Sequence, residues 1–550
     1  MGRRDRSAPS AHVECLGLRY ALPYLSTGTT YLKDRFEGQP LSYVLGQMFR
    51  VRDRSDAAAS EVWAREIRAG RVEYRGAKRS REDPWEWISA SAPDRPVGRG
   101  SSVRLTRHVH ERAVGAEAAR PAVLLETADV LAICKPAGIA TIDESGGTGT
   151  NSLATMVGEM LREREGGEEE GGAGPPRNPT PAHRLDKPVS GVLMMGKSPK
   201  KAMRLLQKIQ RKDEGVEKVY IARVGRGSGT GALSDAGPAA AGAAVSIGAE
   251  DGPRAAAGPA AVPDDFPSRV TVYAELGWDS RGDRAAVLGA DEAADKAEKR
   301  RMRLIEAGTR ARRKEEKRRL LGGKHLPLGE CEGGLAASAA AATAPAALPT
   351  SNETRTEFRR LGDVLTDGTV LVECRPRGGQ RHQIRAHLSL LGWPIANDKR
   401  YGGDGGGGDG DGDGGGPVSS PAAPAPYCDD GDGTLFRAFA GNEGLLLPWC
   451  ATCRYIARRL VAQEVERPRG ETRDLVLDPW LEAILAGGEA GGEEARAADA
   501  LRTEVDSEIW LRSIRYRIPA AGLDIQAQVP TWAASAEAAI KETIFAEAKP

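Results

Sequence analysis

Cysteine and aromatic residues are scarce in this chain, and neither sign of charge dominates it. Seven cysteines, an odd number without regular spacing over most of the chain, exclude a small disulfide scaffold and favour a reducing compartment. Aromatics make up 5% and hydrophobics 40% of the 550 residues, which is low for a fully packed protein. Lys and Arg number 78 against 77 Asp and Glu, a net charge of +1. Taken alone, that balance argues against nucleic-acid binding, although acidic insertions can cancel a basic face. No run approaches the ~20 apolar residues of a membrane span, so no membrane partner is expected. The first residues, Met1-Gly2-Arg3-Arg4-Asp5-Arg6-Ser7, lack the apolar core of a secretory signal. Asp5 and Glu14 weaken a mitochondrial transit reading. A cytoplasmic placement is expected, with mitochondrial, plastid and nuclear ones left open.

Glycine (67) and proline (34) are plentiful instead. Their combined share exceeds the usual ~12% but stays below the ~25–30% of a disordered chain. The excess concentrates in biased segments at 162–179, 225–265, 334–348, 402–426 and 486–498. None can bury enough apolar surface to offset ordering entropy, so each is expected to be a flexible insertion on a surface loop. The run 296–319 holds twelve Lys or Arg against four Glu. It is expected to be a solvated insertion helix, with an auxiliary polyanion contact as the alternative.

Between these segments lie short apolar runs of strand length. They include Val123-Leu124-Leu125, Val130-Leu131-Ala132-Ile133-Cys134, Gly191-Val192-Leu193-Met194-Met195, Val219-Tyr220-Ile221-Ala222-Arg223-Val224 and Thr369-Val370-Leu371-Val372-Glu373-Cys374. After Gly196 the period changes, and Ala202, Leu205, Leu206 and Ile209 fall on one helical face. Strands mixed with few helices, without βαβ alternation, predict an α+β fold with a mixed, largely antiparallel sheet. Residues 39–76 read as a helix carrying Leu41, Val44, Leu45 and Phe49, a second helix ending at Gly70, and a short strand. This unit, with Arg65, Arg68 and Arg71 clustered, resembles a small RNA-binding module of the S4 type.

Two constellations could carry chemistry. The first is Ala182-His183-Arg184-Leu185-Asp186-Lys187-Pro188-Val189-Ser190-Gly191. It puts a carboxylate beside Arg and His on a loop that feeds a buried strand, where catalytic groups usually sit. A surface Asp paired with Arg184 or Lys187 is the plainer alternative. The second is Gly379-Gln380-Arg381-His382-Gln383-Ile384-Arg385-Ala386-His387-Leu388. Its histidines are five apart and share no helical face, so a metal pair is not expected there. Arg385 can point inward and hold a buried carboxylate bidentately. Cys450-Ala451-Thr452-Cys453 is half of a zinc site and is expected to be a packing or loop thiol pair. No metal ligands and no cofactor are assigned.

The His-Arg-Leu-Asp-x-x-x-Ser-Gly segment and its strand resemble the central motif of the RluA family of pseudouridine synthases. Four further segments agree in order: Val130 to Ile139 with its Lys135-Pro136-Ala137-Gly138 turn, Lys218-Val219-Tyr220, His382 to Leu388, and Leu391-Gly392-Trp393-Pro394-Ile395 through Asp398 to Tyr401-Gly402. At both ends the chain is similar to the eukaryotic tRNA-directed branch. The N-terminal match is Gly17-Leu18-Arg19 through Pro23-Tyr24, and Thr29 to Lys33; the C-terminal match is Ile509 to Tyr516 and Val529 to Ala533. The sequence departs from the family at Gly378-Gly379-Gln380-Arg381, where Thr-Gly-Arg-Thr is usual, and at Val189, where Thr is commoner.

The resemblance implies a pseudouridine synthase-like catalytic domain acting on RNA, most readily tRNA, as a monomer without cofactor. Domains are then expected at 1–38 (extension), 39–115 (S4-like module), 120–403 (catalytic, interrupted at 225–265 and 280–352), 404–437 (low-complexity insertion) and 438–550 (remainder and extension). It implies Asp186 as the essential carboxylate, Tyr220 stacking on uracil and taking the C5 proton, and Arg385 as the charged partner. RNA contacts are implied for His183, Arg184, Leu185, Lys218, His382 and Gln383, and for Arg65 and Arg68 of the module. Three alternatives stand beside it. One is an rRNA substrate. Another is a non-catalytic RNA-binding protein with the same fold. The third, a zinc deaminase built from His12-Val13-Glu14 and Cys450/Cys453, is disfavoured by Trp449 in place of Pro.

Overall fold

The structure is a computed structural model that describes residues 12–49, 56–76, 87–90, 92–142, 149–164, 179–210, 215–227, 265–279, 284–287, 353–402, 450–466 and 509–545, with a few short segments between them. The basic run 296–319 and most of the biased segments lie outside the described residues. Among the described residues no helix is long and apolar enough to cross a membrane. The chain divides into two units. The first comprises Met1–Pro188, Leu193–Met203 and Pro417–Glu508; the second comprises Val189–Val192, Arg204–Gly416 and Ile509–Pro550.

In the first unit the chain begins with strands β1 (His12–Cys15), β2 (Leu18–Ala21) and β3 (Tyr24–Tyr31). Helices α1 (Leu41–Met48) and α2 (Asp56–Arg68) follow, then β4 (Val72–Arg75), β5 (Ile88–Ser89), β6 (Ser102–Val109) and β7 (Val114–Gly115). The helix–helix–strand order at 41–75 is the one the apolar spacing predicts. Leu41, Val44 and Leu45 of α1 and Ile67 of α2 bury against Val72, Val103 and Leu105, and Gly70 turns the chain at φ +72°. The sheet order there is β3-β6-β4-β5. Next come β8 (Val123–Glu126), β9 (Val130–Lys135), α3 (Leu153–Arg164) and β10 (Thr180–Pro181). Arg19 of β2 is buried and donates to Asn151 Oδ1 (3.2 Å) and Glu159 Oε2 (2.6 Å), which ties the N-terminal strands to α3.

Strand β11 (Ser190–Gly196) and helix α4 (Pro199–Gln210) are each divided between the units. All seven residues of β11 are buried, as its unbroken apolar run predicts. A Cβ on Gly196 would stand 2.1 Å from Ala202 N. Only glycine lets the start of α4 come that close, and Ala202, Leu205 and Ile209 bury the predicted face.

The second unit continues with β12 (Glu217–Val224), β13 (Ser246–Gly248), β14 (Ala255–Ala256), β15 (Arg269–Asp279), β16 (Arg284–Val287), β17 (Glu353–Arg360), β18 (Val370–Arg377) and α5 (Gln383–Leu390). Helix α6 (Ala451–Glu466) belongs to the first unit; β19 (Leu511–Ile518), β20 (Leu523–Gln526) and α7 (Glu537–Ile540) complete the second. Here the order is β14-β13-β15-β17-β18-β12-β19-β11. The β11–β19 pair is parallel and the other described pairings of this unit are antiparallel. The fold is α+β with a mixed, largely antiparallel sheet.

Register separates the two faces of this sheet, because directly opposed residues point the same way and neighbours along a strand alternate. Val219, Ile221 and Leu371 lie on one face and pack with Ala533, Ala536, Ile540 and Ile544 of the C-terminal segment. Tyr220 is opposite Cys374, and Cys374 opposite Phe358. Thr356 and Thr354 continue that second face. Helix α5 lies on it, since Gln383 Nε2 donates to Thr356 Oγ1 (3.0 Å) and His387 Nε2 meets Thr354 Oγ1 (2.9 Å).

Candidate active site

In the first unit, the loop bearing Asp186 is held by backbone bonds on both sides of that residue. Lys135, fully buried at the end of β9, donates from Nζ to Lys187 O (3.0 Å) and Pro136 O (2.8 Å). Gly138 N donates to the same Lys187 carbonyl (2.9 Å). Thr141 Oγ1 donates to Leu185 O (3.0 Å) and accepts from Leu185 N (3.3 Å). The Lys-Pro-Ala-Gly turn therefore serves to pin Leu185 and Lys187, leaving the half-buried Asp186 side chain on a rigid backbone. His183 accepts from Met194 N at Nε2 (3.1 Å), which assigns its ring proton to Nδ1 and anchors the loop to β11. Arg184 is exposed and Leu185 buried.

In the second unit, β12 carries Tyr220, half-buried. The β12–β19 register shifts between Val219 and Tyr220, so Val219 faces Arg515 and Tyr220 faces Ser513. Such a bulge re-aims a side chain and is common beside functional sites. Ser513 is also the partner of Gly191 on the far side of β19. Gly191 has φ +112°, and a Cβ there would lie 2.0 Å from Ser513 O. The Ser-Gly of the central motif is thus a close-approach site for β19.

Arg385 sits on α5, on the sheet face that carries Tyr220. It is 4% exposed and binds Asp398 bidentately, Nε to Oδ2 at 2.6 Å and Nη2 to Oδ1 at 2.8 Å. Its Nη1 donates to His382 Nε2 (3.2 Å). With Nε2 accepting, His382 carries its proton on Nδ1 and donates it to Tyr401 Oη (3.0 Å). His382 adopts φ +58° immediately before the helix, a conformation rarely used by non-glycine residues. Trp278 stands edge-on to the His382 ring (5.2 Å), and Arg381 stacks over Trp278 (3.8 Å). Sequence motifs pointed to Arg385 and His382. Trp278 went unmarked because its strand lies about a hundred residues earlier, outside every motif.

The other expected contacts are placed as follows. Lys218 Nζ donates to Gly378 O (2.7 Å), and burial pushes its ammonium down to about 8. The glycines that replace the usual Thr-Gly therefore lie over Lys218. Gln383 spends its amide on Arg355 O, Thr356 Oγ1 and Gln380 N, all within the second unit. Burial pushes Tyr516, near Tyr220, well above the usual phenol range, with the Tyr220 charge adding to it. In the module of the first unit, Arg65 and Arg68 are exposed on α2; Arg68 pairs with Glu61 (3.1 Å), and Arg71 is held by Glu66 (2.6 Å).

Asp186 and Tyr220 fall inside the stretch that a family model matches, and Arg385 and His382 outside it. A model of the RNA pseudouridylate synthase family matches residues 129–258. That stretch of the chain is thus similar to the RluA-type pseudouridylate synthases. The human pseudouridylate synthase RPUSD2 is 29% identical over 210 residues, 38% of this chain and 32% of the relative. RNA pseudouridine synthase 7 of rice is 24% identical over 387 residues, 70% of this chain and 66% of the relative. The mitochondrial tRNA pseudouridine(32) synthase of Saccharomyces cerevisiae is 49% identical over 51 residues, 9% of this chain and 10% of the relative. The chain thus spans about a third of the human relative's length.

Proposed function

We propose that the chain isomerises uridine to pseudouridine in RNA, with Asp186, Tyr220 and Arg385 in the roles that the resemblance implies for them. The reaction breaks the C1′–N1 bond, turns the uracil, joins C5 to C1′ and releases the C5 proton to be replaced at N1. Atoms are conserved, so no group or electron donor is required. Asp186 is the essential carboxylate in this reading, and Tyr220 lies against the base and takes the C5 proton. Arg385, the charged residue of this reading, is held in place by its bidentate pair with Asp398. Extruding the nucleotide costs a few kcal/mol, roughly the energy of unstacking, and Arg184, exposed on the Asp186 loop, is suited to hold the vacated position.

The observation that carries the reading is the register within the second unit, where Gly191 of the central motif and Tyr220 both flank Ser513. Strands spaced about 4.8 Å apart put Gly191 and Tyr220 roughly 10 Å from each other. The exposed Arg65 and Arg68 of the S4-like module are assigned to RNA backbone. tRNA is the proposed substrate, supported by the similarity at both chain ends to the tRNA-directed branch and by the short match to the yeast tRNA pseudouridine(32) synthase. The test is tritium release from C5-labelled uridine RNA together with pseudouridine mapping after gene deletion. Release from tRNA that vanishes in Asp186→Ala supports the reading. Release only from rRNA moves the substrate, and no release from either leaves RNA binding as the function.

A further inference from the structure

The synthase motifs leave one cluster of reactive side chains unused. His108 near the end of β6 and His110 just beyond it are two residues apart, so both rings leave the same side of an extended chain. Cys450 immediately precedes α6 and Cys453 lies in its first turn, three positions on, which also puts both thiols on one side. The two pairs meet although more than 300 residues separate them. Cys450 Sγ is 3.4 Å from His110 Nε2, and Cys453 Sγ is 3.4 Å from both His110 Nε2 and His108 Nδ1. The two ring nitrogens are 3.2 Å apart, and all four atoms lie within 4.8 Å of one another.

A tetrahedral zinc with Zn–S of ~2.3 Å and Zn–N of ~2.0–2.1 Å has ligand–ligand edges of about 3.3–3.8 Å. The cluster matches that size without any side chain having to move far. Its chemistry also selects the metal. Two thiolates and two imidazoles suit zinc, while calcium and magnesium prefer oxygen donors. Two thiolates neutralise the dication, so the site can be as buried as Cys453, which is fully enclosed. Among the described residues, His110 makes its polar contacts through Nε2 into the cluster, and its Nδ1 is buried without a hydrogen bond.

We propose that His108, His110, Cys450 and Cys453 form a structural Zn²⁺ site of the Cys₂His₂ type. Four protein ligands close the coordination sphere, so the ion has no open position for substrate and serves as a staple. It fastens the end of β6 to the start of α6, beside a core of Leu18, Tyr20, Phe439, Ile456 and Leu460. Residues 111–449, which include the synthase motifs, are thereby closed into a loop within the chain. Each thiol loses its proton on binding, and the sulfur lone pair forms the metal bond. No electron is transferred.

The experiment is metal analysis of the full chain purified without chelator, followed by replacement of the ion with Co²⁺. The expected result is one zinc per chain, falling to background in Cys453→Ser and in His108→Ala. Should those variants fail to fold, the wild-type cobalt spectrum decides instead. Thiolate-to-cobalt charge transfer and intense tetrahedral d–d bands in the red support the site. Substoichiometric zinc with a weak, octahedral cobalt spectrum overturns it, as does a Cys450–Cys453 disulfide in protein purified under reducing conditions. None of these readouts depends on turnover, so the proposal stands or falls apart from the synthase activity.

Discussion

Asp186 is one carboxylate among 77 acidic residues, and what sets it apart is the stiffness of its neighbours. Both flanking residues are tied by Lys135 and Thr141, so the side chain is presented without further ordering cost. Asp186→Asn is expected to abolish tritium release while leaving the thermal midpoint unchanged within error, as read by calorimetry. Lys135→Met separates the same two quantities differently. It takes the Lys135 donor from the Pro136 carbonyl, at about 1–3 kcal/mol, and leaves the Lys187 carbonyl with Gly138 N alone. Denaturant titration should show that loss. The rate with saturating RNA should fall further than the unfolded fraction accounts for, because the Asp186 loop loosens.

At the scale of elements, the second unit depends on α5 lying against one face of its sheet. Thr354 Oγ1 gives its hydrogen to Ala274 O, so His387 must donate from Nε2 and keep Nδ1 bare. Burial pushes the His387 imidazole down to about 3, against ~6.5 in an unfolded chain. Between those values the unfolded state binds a proton that the folded state refuses. The contribution is therefore complete above pH ~6.5 and is lost on acidification by about 1.4 kcal/mol per unit. His387→Gln should flatten the stability–pH curve between roughly pH 6 and 4, measured by urea denaturation. The β11–β19 contact makes a sharper prediction. Gly191→Ala drives a Cβ into the Ser513 carbonyl at a positive φ and should destabilise by more than about 3 kcal/mol, among the largest single-residue effects. An unchanged unfolding midpoint would contradict the register.

For the whole molecule, net charge misleads. A value of +1 averages acidic insertions with basic surfaces, and RNA responds to local charge. Each phosphate contacted contributes a slope of about −0.7 to the logarithm of affinity against the logarithm of salt for single strands. Binding of substrate RNA should therefore show a slope of several units, measured by filter binding across salt concentrations. Arg65→Ala with Arg68→Ala should make that slope shallower by one or two units without altering release of tritium at saturation. A slope near zero would remove the module from the RNA interface.

The strands, the α4 face and the helix–helix–strand order at 41–75 were legible in the sequence because burial imposes a period that needs no knowledge of partners. Asp186, Tyr220 and Arg385 were proposed from local motifs, since loop and turn chemistry is written in adjacent residues. Other features needed the folded chain. Arg385 was read as able to hold a buried carboxylate, yet its partner Asp398 became certain only with α5 in place. Trp278 reaches His382 from a strand with no motif of its own. Cys450 and Cys453 looked like half a site because their complement, His108 and His110, is more than 300 residues away. Composition and short spacings determine what a segment can do locally. Contacts that cross hundreds of residues follow from strand order and register, which only the tertiary structure decided.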